Sequence, residues 1–248
     1  MIHPSISAKM LSSVLPFDEE VAARVSDYCE QLSTPIPPNL LDHWDFTRSH
    51  FSDADKMSSK LQGSWMIFTA KDRKPKRVLE IGCYSGYSAV AWYEGTKDTK
   101  AEIITLELNK KMIAASKAAF ARLGVEDRVK LIEGPAQESL EKLDGNFDLI
   151  FVDANKDGYA GYVRTILDRK LLSPSGIILC DNVFARGLSV GKDCAPWLND
   201  HVRKYWQDCG DALNEFNTQI VTDPRVDVFI SPVFDGVTHI KWNDTAPK

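Results

Sequence analysis

From Arg77 onward the chain alternates between short runs rich in Val and Ile and longer stretches with helical spacing. The runs are RVLEIG, EIITLEL, VKLIEG, FDLIFVD and GIILCDN. Between them lie SGYSAVAWYEG, NKKMIAASKAAFARLG, PAQESLEKL and YAGYVRTILDRKLL. A strand buried on both faces has apolar residues at nearly every position, and parallel neighbours need a crossover that is usually a helix. The alternation therefore predicts an α/β fold: a mostly parallel sheet with helices on both faces. In the second helical stretch Met112, Ala115, Ala119 and Leu123 share one face, and Gly124 supplies the C-cap.

The two ends differ from this middle. DEEVAARVSDYCEQLS, Asp18 to Ser33, places Val21, Val25, Tyr28 and Leu32 at helical spacing. TPIPPN breaks it, and NLLDHWDFTRSHF and SSKLQGSWMIFTAKD read as two further helices. Near the other end CAPWLNDHVRKYWQDCGDALNEF reads as a helix. VDVFISPVFDGVTHIKW follows as two strands joined through Pro232 and Asp235-Gly236, an antiparallel hairpin. Five parallel strands plus this hairpin give a Rossmann-like sheet of seven strands with an antiparallel edge. No linker divides the chain, so 1–248 is expected to be a single domain, with 1–60 as a helical extension.

Bulk properties narrow the function. The formal net charge of −5 argues against nucleic acid as the main partner, because phosphate binding favours a basic surface. No apolar run approaches the ~20 residues of a membrane span. The first residues, MIHPSISAKMLSSVLPFDEE, lack a basic start followed by a continuous apolar stretch, so no secretory signal is expected. Cys29, Cys83, Cys180, Cys194 and Cys209 are odd in number and form no C-x-x-C pair. They read as reduced thiols of a cytoplasmic protein.

In a sheet of this kind ligands bind beyond the carboxyl ends of the strands. The first end is EIGCYSGYS, where Gly82 and Gly86 bracket a turn into a helix. Small residues there let backbone N–H groups approach a ligand. The dinucleotide pattern G-x-G-x-x-G is incomplete, which counts against an NAD-dependent oxidoreductase on the same sheet. The second end, TLELN, offers Glu107, an acid suited to both hydroxyls of a ribose. The third, EGPAQ, reads as ordinary capping by Pro135. The fourth and fifth ends, FVDANKDGY and LCDN, offer Asp153, Asp181 and Asn182. Each end alone suits a helix cap or a turn. Together, beside a ribose-binding acid, they supply the hard oxygen donors that a divalent cation prefers. DANKDG also imitates a calcium loop, but the bidentate Glu of such a loop falls on Arg164 and a strand precedes it.

These strand ends, in this order and spacing, resemble the cation-dependent O-methyltransferases that use S-adenosylmethionine. The caffeoyl-CoA O-methyltransferase type is nearer and the catechol O-methyltransferase type more distant. The likeness runs from about Ser58 to the terminal hairpin. The N-terminal third diverges, which points to a fungal or bacterial branch rather than the plant one. The resemblance implies a class I methyltransferase fold and transfer of a methyl group to a hydroxyl of a vicinal-dihydroxy aromatic: a catechol, a flavonoid or a caffeoyl-type compound.

It also implies roles, residue by residue. Asp153, Asp181 and Asn182 would hold the cation, with Mg²⁺ expected and Mn²⁺ or Ca²⁺ as alternatives. Lys156 would be the catalytic lysine, as base or as positioner of the phenolate. Ser58, Glu80, Gly82, Tyr84, Ser88, Glu107 and Ala136 would line the cofactor, with Asp153 and Asn155 beside it and Gln137 near the adenine. Plant members carry Asp where this chain has Asn155, and Trp where it has Ala185, and Arg186 follows at a position associated with substrate. These departures put the CoA-thioester acceptor in doubt. Trp197 and Tyr205 are candidates for the acceptor pocket. A homodimer is implied, with the 1–60 extension contributing to the substrate and dimer region. The other readings are a metal-independent methyltransferase of the same fold and a calcium-binding module.

Overall fold

The computed structural model of the chain describes residues 18–244. The opening stretch Met1 to Phe17, weighed above as a leader, lies outside the described residues. The chain divides into two compact units, one up to Pro35 and one from Ile36 onward. In the first, helix α1 (Glu19–Leu32) starts where Asp18 Oδ1 accepts the Val21 N–H at 2.8 Å. The predicted stripe of Val21, Val25, Tyr28 and Leu32 is exposed, and α1 buries no residue.

The second unit carries helices α2 (Pro38–His50), α3 (Lys60–Arg73), α4 (Tyr87–Gly95), α5 (Lys110–Leu123), α6 (Ala136–Leu140), α7 (Tyr159–Asp168) and α8 (Asp200–Ile220). Its strands are β1 (Arg77–Ile81), β2 (Glu102–Glu107), β3 (Val129–Glu133), β4 (Phe147–Val152), β5 (Leu172–Asp181), β6 (Val226–Ser231) and β7 (Val237–Trp242). They form one sheet in the order β3-β2-β1-β4-β5-β7-β6. β1 to β5 are parallel, and β7 runs against both β5 and β6. The strand order reverses at β1, between β2 and β4, which makes the ends of β1 and β4 the topological switch point.

Side chains alternate along each strand, and that period divides the core into two. Leu79 and Ile81 of β1, Ile150 and Val152 of β4, and Ile178 and Cys180 of β5 join one cluster with α7 and α8. Val78, Leu149, Phe151 and Leu179, the intervening residues, join the other with α3 and α4. Covered on both faces, the strands are apolar at nearly every position, which is why they were legible as runs.

The sheet order and some boundaries differ from the sequence reading. The hairpin forms, but the antiparallel strand β7 is interior and β6 is the edge. β5 begins at Leu172 rather than Gly176, and its pairing with β4 shifts register between Phe147 and Leu149. α8 begins at Asp200, not Cys194, because Asn199 accepts the Val202 N–H and caps it. Cys83 and Cys180 are buried as free thiols, as small apolar-like residues of the core. Among the described residues no helix is long and apolar enough to cross a membrane.

Trp92 anchors the α3–α4 side of the core. It is fully buried, 5.5 Å from the Phe151 ring and 6.5 Å from Trp65, both edge-on. Trp92→Ala is expected to lower unfolding free energy by about 3–5 kcal/mol, read from the denaturant midpoint. A loss below about 1 kcal/mol would contradict this placement of the core.

Candidate functional site

β1 ends against β4. Gly82 has φ of +97°, and a Cβ there would lie 2.0 Å from the Asp153 carbonyl oxygen. No side chain fits, so the chain turns off β1 with its backbone pressed on the backbone of the neighbouring strand. The Gly82 N–H donates to Leu106 O at 3.0 Å and the Asp153 N–H to Ile81 O at 2.9 Å, continuing the ladder past the strand ends. Tyr84 (φ 49°) and Gly86 (φ 90°) then turn the loop into α4.

The loop is tied to β2 through Glu107. One carboxylate oxygen accepts the N–H groups of Cys83 at 3.2 Å and Tyr84 at 2.8 Å. The other accepts those of Leu108 at 2.9 Å and Asn109 at 2.8 Å. Four backbone N–H groups therefore fix the orientation of this carboxylate. Tyr84 reaches outward, where its hydroxyl donates to Asp53 Oδ1 at 3.0 Å.

Glu80 sits one strand pair inward and is fully buried. Thr105, its register partner on β2, donates to Oε2 at 2.6 Å. Oε1 is buried with no partner among the described residues. Burial pushes this carboxyl up to about 8, with the charges of Asp153 and Glu107 adding to the effect. Ser88, on the first turn of α4, lies near enough to temper that upward shift.

A second cluster lies at the ends of β4 and β5. Lys156 is only 9% exposed. Its Nζ donates to Asp153 Oδ1 at 3.0 Å, Asn182 Oδ1 at 3.2 Å and the Tyr159 hydroxyl at 2.7 Å. The Tyr159 hydroxyl donates onward to the Asp181 carbonyl at 2.9 Å. The Asp181 carboxylate is 1% exposed and accepts from Gln62 Nε2 at 2.5 Å and from the Asn182 N–H at 2.8 Å. Burial, and then the nearby Asp153 charge, hold Asp181 above the ordinary carboxylate range. Asn182 takes φ of +56°, and its amide N–H donates to Phe234 O at 3.3 Å.

The sequence-predicted residues therefore gather at the carboxyl edge of the sheet in two linked groups. Glu80, Gly82, Tyr84, Ser88 and Glu107 surround the β1–α4 loop. Asp153, Lys156, Asp181 and Asn182 form the β4–β5 group. Ser58 precedes the α3 N-cap Ser59, and its carbonyl accepts the Trp44 indole N–H at 3.1 Å. Ala136 opens α6. Asn155 is exposed, and its amide is engaged by the Tyr162 hydroxyl and by Asp157. Trp197 and Tyr205 are not core: they are 63% and 61% exposed. Arg186 places its guanidinium 4.4 Å over the Trp206 ring and 5.9 Å from that of Trp197.

Gln62 and Tyr159 were not foreseen. Gln62 lies 119 positions from the carboxylate it holds, so no local pattern marks it. Tyr159 stood inside FVDANKDGY, three residues past Lys156, and that spacing was the available signal. Among the described residues no group of three or more His, Cys, Asp or Glu side chains is placed to hold a metal ion. The candidate donor set is two carboxylates and one amide oxygen.

A doubly wound seven-stranded sheet with an antiparallel strand near one edge, a glycine turn after β1 and an acid after β2 defines a Rossmann-like class I methyltransferase fold. Residues 19–242 match the family model described as O-methyltransferase. The O-methyltransferase ankF of Aspergillus thermomutatus is 41% identical over 94% of this chain and 98% of its own. A caffeoyl-CoA O-methyltransferase of Citrus natsudaidai is 32% identical over 71% of this chain and 75% of its own. The solved structure of the SAH-bound Podospora anserina methyltransferase PaMTH1 is 71% identical, with a TM-score of 0.93 over 94% of this chain and 100% of that one. The chain belongs to the O-methyltransferase family. This sets aside the oxidoreductase and the calcium-binding module.

Glu80 supplies a pH signature. Its raised pKa means the fold favours the protonated carboxyl. That contribution is complete below the ordinary value of 4.5 and is lost as pH rises through about 8. In the ligand-free chain Tm is expected to fall over this window, and Glu80→Gln is expected to flatten the fall. Parallel profiles for the two proteins would contradict the assignment.

Proposed function

We propose that the chain moves a methyl group from S-adenosylmethionine to one hydroxyl of a vicinal-dihydroxy aromatic, such as a catechol, a flavonoid or a caffeoyl-type compound, with the help of a divalent cation. The observation that carries this reading is the buried Lys156 ammonium held between Asp153, Asn182 and Tyr159, beside the β1–α4 loop. PaMTH1, so similar in sequence, was solved with SAH bound, and the Citrus relative is named for a caffeoyl thioester.

The residues present fit both groups. For the cofactor, Gly82 lets the turn after β1 lie against the end of β4, Glu107 presents a fixed carboxylate for ribose hydroxyls, and Glu80 Oε1 is an acceptor without a partner among the described residues. Ser58, Tyr84, Ser88 and Ala136 would border it, with Asp153 and Asn155 at the β4 end. For the cation, burial first and the nearby Asp153 charge second push Asp181 toward protonation. A cation relieves that repulsion, and carboxylate and amide oxygens are its preferred donors. When bound, S-adenosylmethionine supplies an electrophilic methyl group, and a divalent cation supplies Lewis-acid stabilisation of an ionised hydroxyl.

The protein's own part is alignment and proton handling. Lys156 Nζ sits where the ammonium can hold an acceptor oxygen by hydrogen bond, or the free amine can take its proton. Tyr159 and Asn182 limit where that nitrogen can point. Fixing donor and acceptor in a near-attack geometry is worth up to about 7–11 kcal/mol of the barrier. Trp197, Tyr205 and Arg186 would flank the acceptor ring.

A second reading has its own observation. The Lys156 ammonium already touches Asp153 Oδ1 and Asn182 Oδ1, so one positive charge from the protein can serve those oxygens and a cation-free transfer is conceivable. Assays with labelled S-adenosylmethionine and a panel of catechols, flavonoids and caffeoyl esters separate the two. Transfer to a vicinal diol that stops in EDTA and returns with Mg²⁺ is the expected result. Full activity in EDTA would leave the cation-free reading standing. Lys156→Ala is expected to lower kcat by about 10²–10⁴-fold. An unchanged kcat would remove Lys156 from the chemistry.

A further inference from the structure

We infer that His43 is a positioning residue that clamps the Gly82–Gly86 loop onto α2 and so sets its shape for the cofactor. The inference rests on the proposed S-adenosylmethionine site but concerns a residue outside it. His43 lies on α2 and is not among the candidate site residues named above.

His43 is 2% exposed on the inner side of α2. Its Nε2 lies 3.0 Å from the Ser85 carbonyl oxygen. Its Nδ1 lies 3.0 Å from Arg122 Nη2 on α5. A guanidinium only donates, so Nδ1 must accept and carry no proton. Nε2 then carries the hydrogen and donates to Ser85 O. Arg122 thus fixes the one neutral tautomer that can hold the loop. Burial, with the Arg122 charge adding to it, lowers the imidazole pKa to about 4, so the ring stays neutral at physiological pH.

Thr47, one turn along α2, holds the same loop residue by its other end. It is fully buried, and its hydroxyl donates to Ser85 Oγ at 3.2 Å. The carbonyl and the hydroxyl of Ser85 therefore both bond to α2. Ser85 stands between Tyr84 and Gly86, both at positive φ. A non-glycine residue in that region persists only where its surroundings over-determine it. The Tyr84 N–H, next in the chain, is one of those donating to Glu107. Movement of Ser85 is therefore passed directly to the amide that orients the proposed ribose acid.

The test compares His43→Phe, which keeps an aromatic ring but removes both nitrogens, with His43→Gln, whose amide can donate to Ser85 O and accept from Arg122. Stranding a buried carbonyl is worth about tenfold or more in binding. In His43→Phe the KM for S-adenosylmethionine and the Kd for S-adenosylhomocysteine are expected to rise by that factor. At saturating cofactor kcat should fall by less than about threefold. His43→Gln should recover most of the affinity. Amide exchange at residues 83–86 in the ligand-free full chain should quicken in His43→Phe and recover in His43→Gln. That readout involves no cofactor, so it judges the clamp even if the wild-type chain fails to bind S-adenosylmethionine. Should His43→Phe not fold, Arg122→Met at an exposed position frees the tautomer, and faster exchange at 83–86 is again expected. Unchanged exchange and affinity in a folded His43→Phe or Arg122→Met, or no recovery in His43→Gln, would overturn the inference.

Discussion

The site depends on one backbone contact. At the switch point of the sheet, Gly82 meets the Asp153 carbonyl with no room for a Cβ. This close approach brings the turn after β1 and the turn after β4 side by side. Without it the loop carrying Tyr84 and the strand end carrying Asp153 would stand a side chain apart. Everything that faces the site follows: the Tyr84 amide on Glu107, the Asp153 carboxylate on Lys156, and the left-handed turn into α4.

Around that contact the protein concentrates charge where burial makes charge costly. Glu80 and Asp181 are both buried carboxylates held above their ordinary range, and one Glu80 oxygen has no partner. A fold selected only for stability would not keep such groups, since apolar residues of similar size pack there at lower cost. Both are therefore candidate ligand contacts. The supporting contacts come from far along the chain: Gln62 on α3 holds Asp181, and His43 and Thr47 on α2 hold Ser85.

Much of this was legible in the sequence for a physical reason. Parallel strands buried on two faces must be apolar throughout, so all five runs stood out, and the strand-end rule then pointed to Glu107, Asp153, Asp181 and Asn182. The terminal hairpin was legible from Asp235-Gly236, but its order in the sheet was not, because turn residues say nothing about which strand lies outside. The start of α8 was misplaced because Ala195 and Leu198 continue an apolar pattern but pack with Leu188 in a separate small cluster, while Asn199 carries the cap. Trp197 and Tyr205, named for the acceptor pocket, are both exposed. Gln62, His43 and Thr47 act through contacts between distant segments, which no single-sequence pattern records.

The central claim is that the carboxyl ends of β1 and β2 form the cofactor site and those of β4 and β5 the reaction site. Amide hydrogen exchange of the full chain, with and without saturating S-adenosylhomocysteine, tests it most directly. The account predicts slower exchange at residues 82–88 and 107–109, with edge strands β3 and β6 unchanged. Protection elsewhere, with residues 82–88 and 107–109 unaffected, would contradict it.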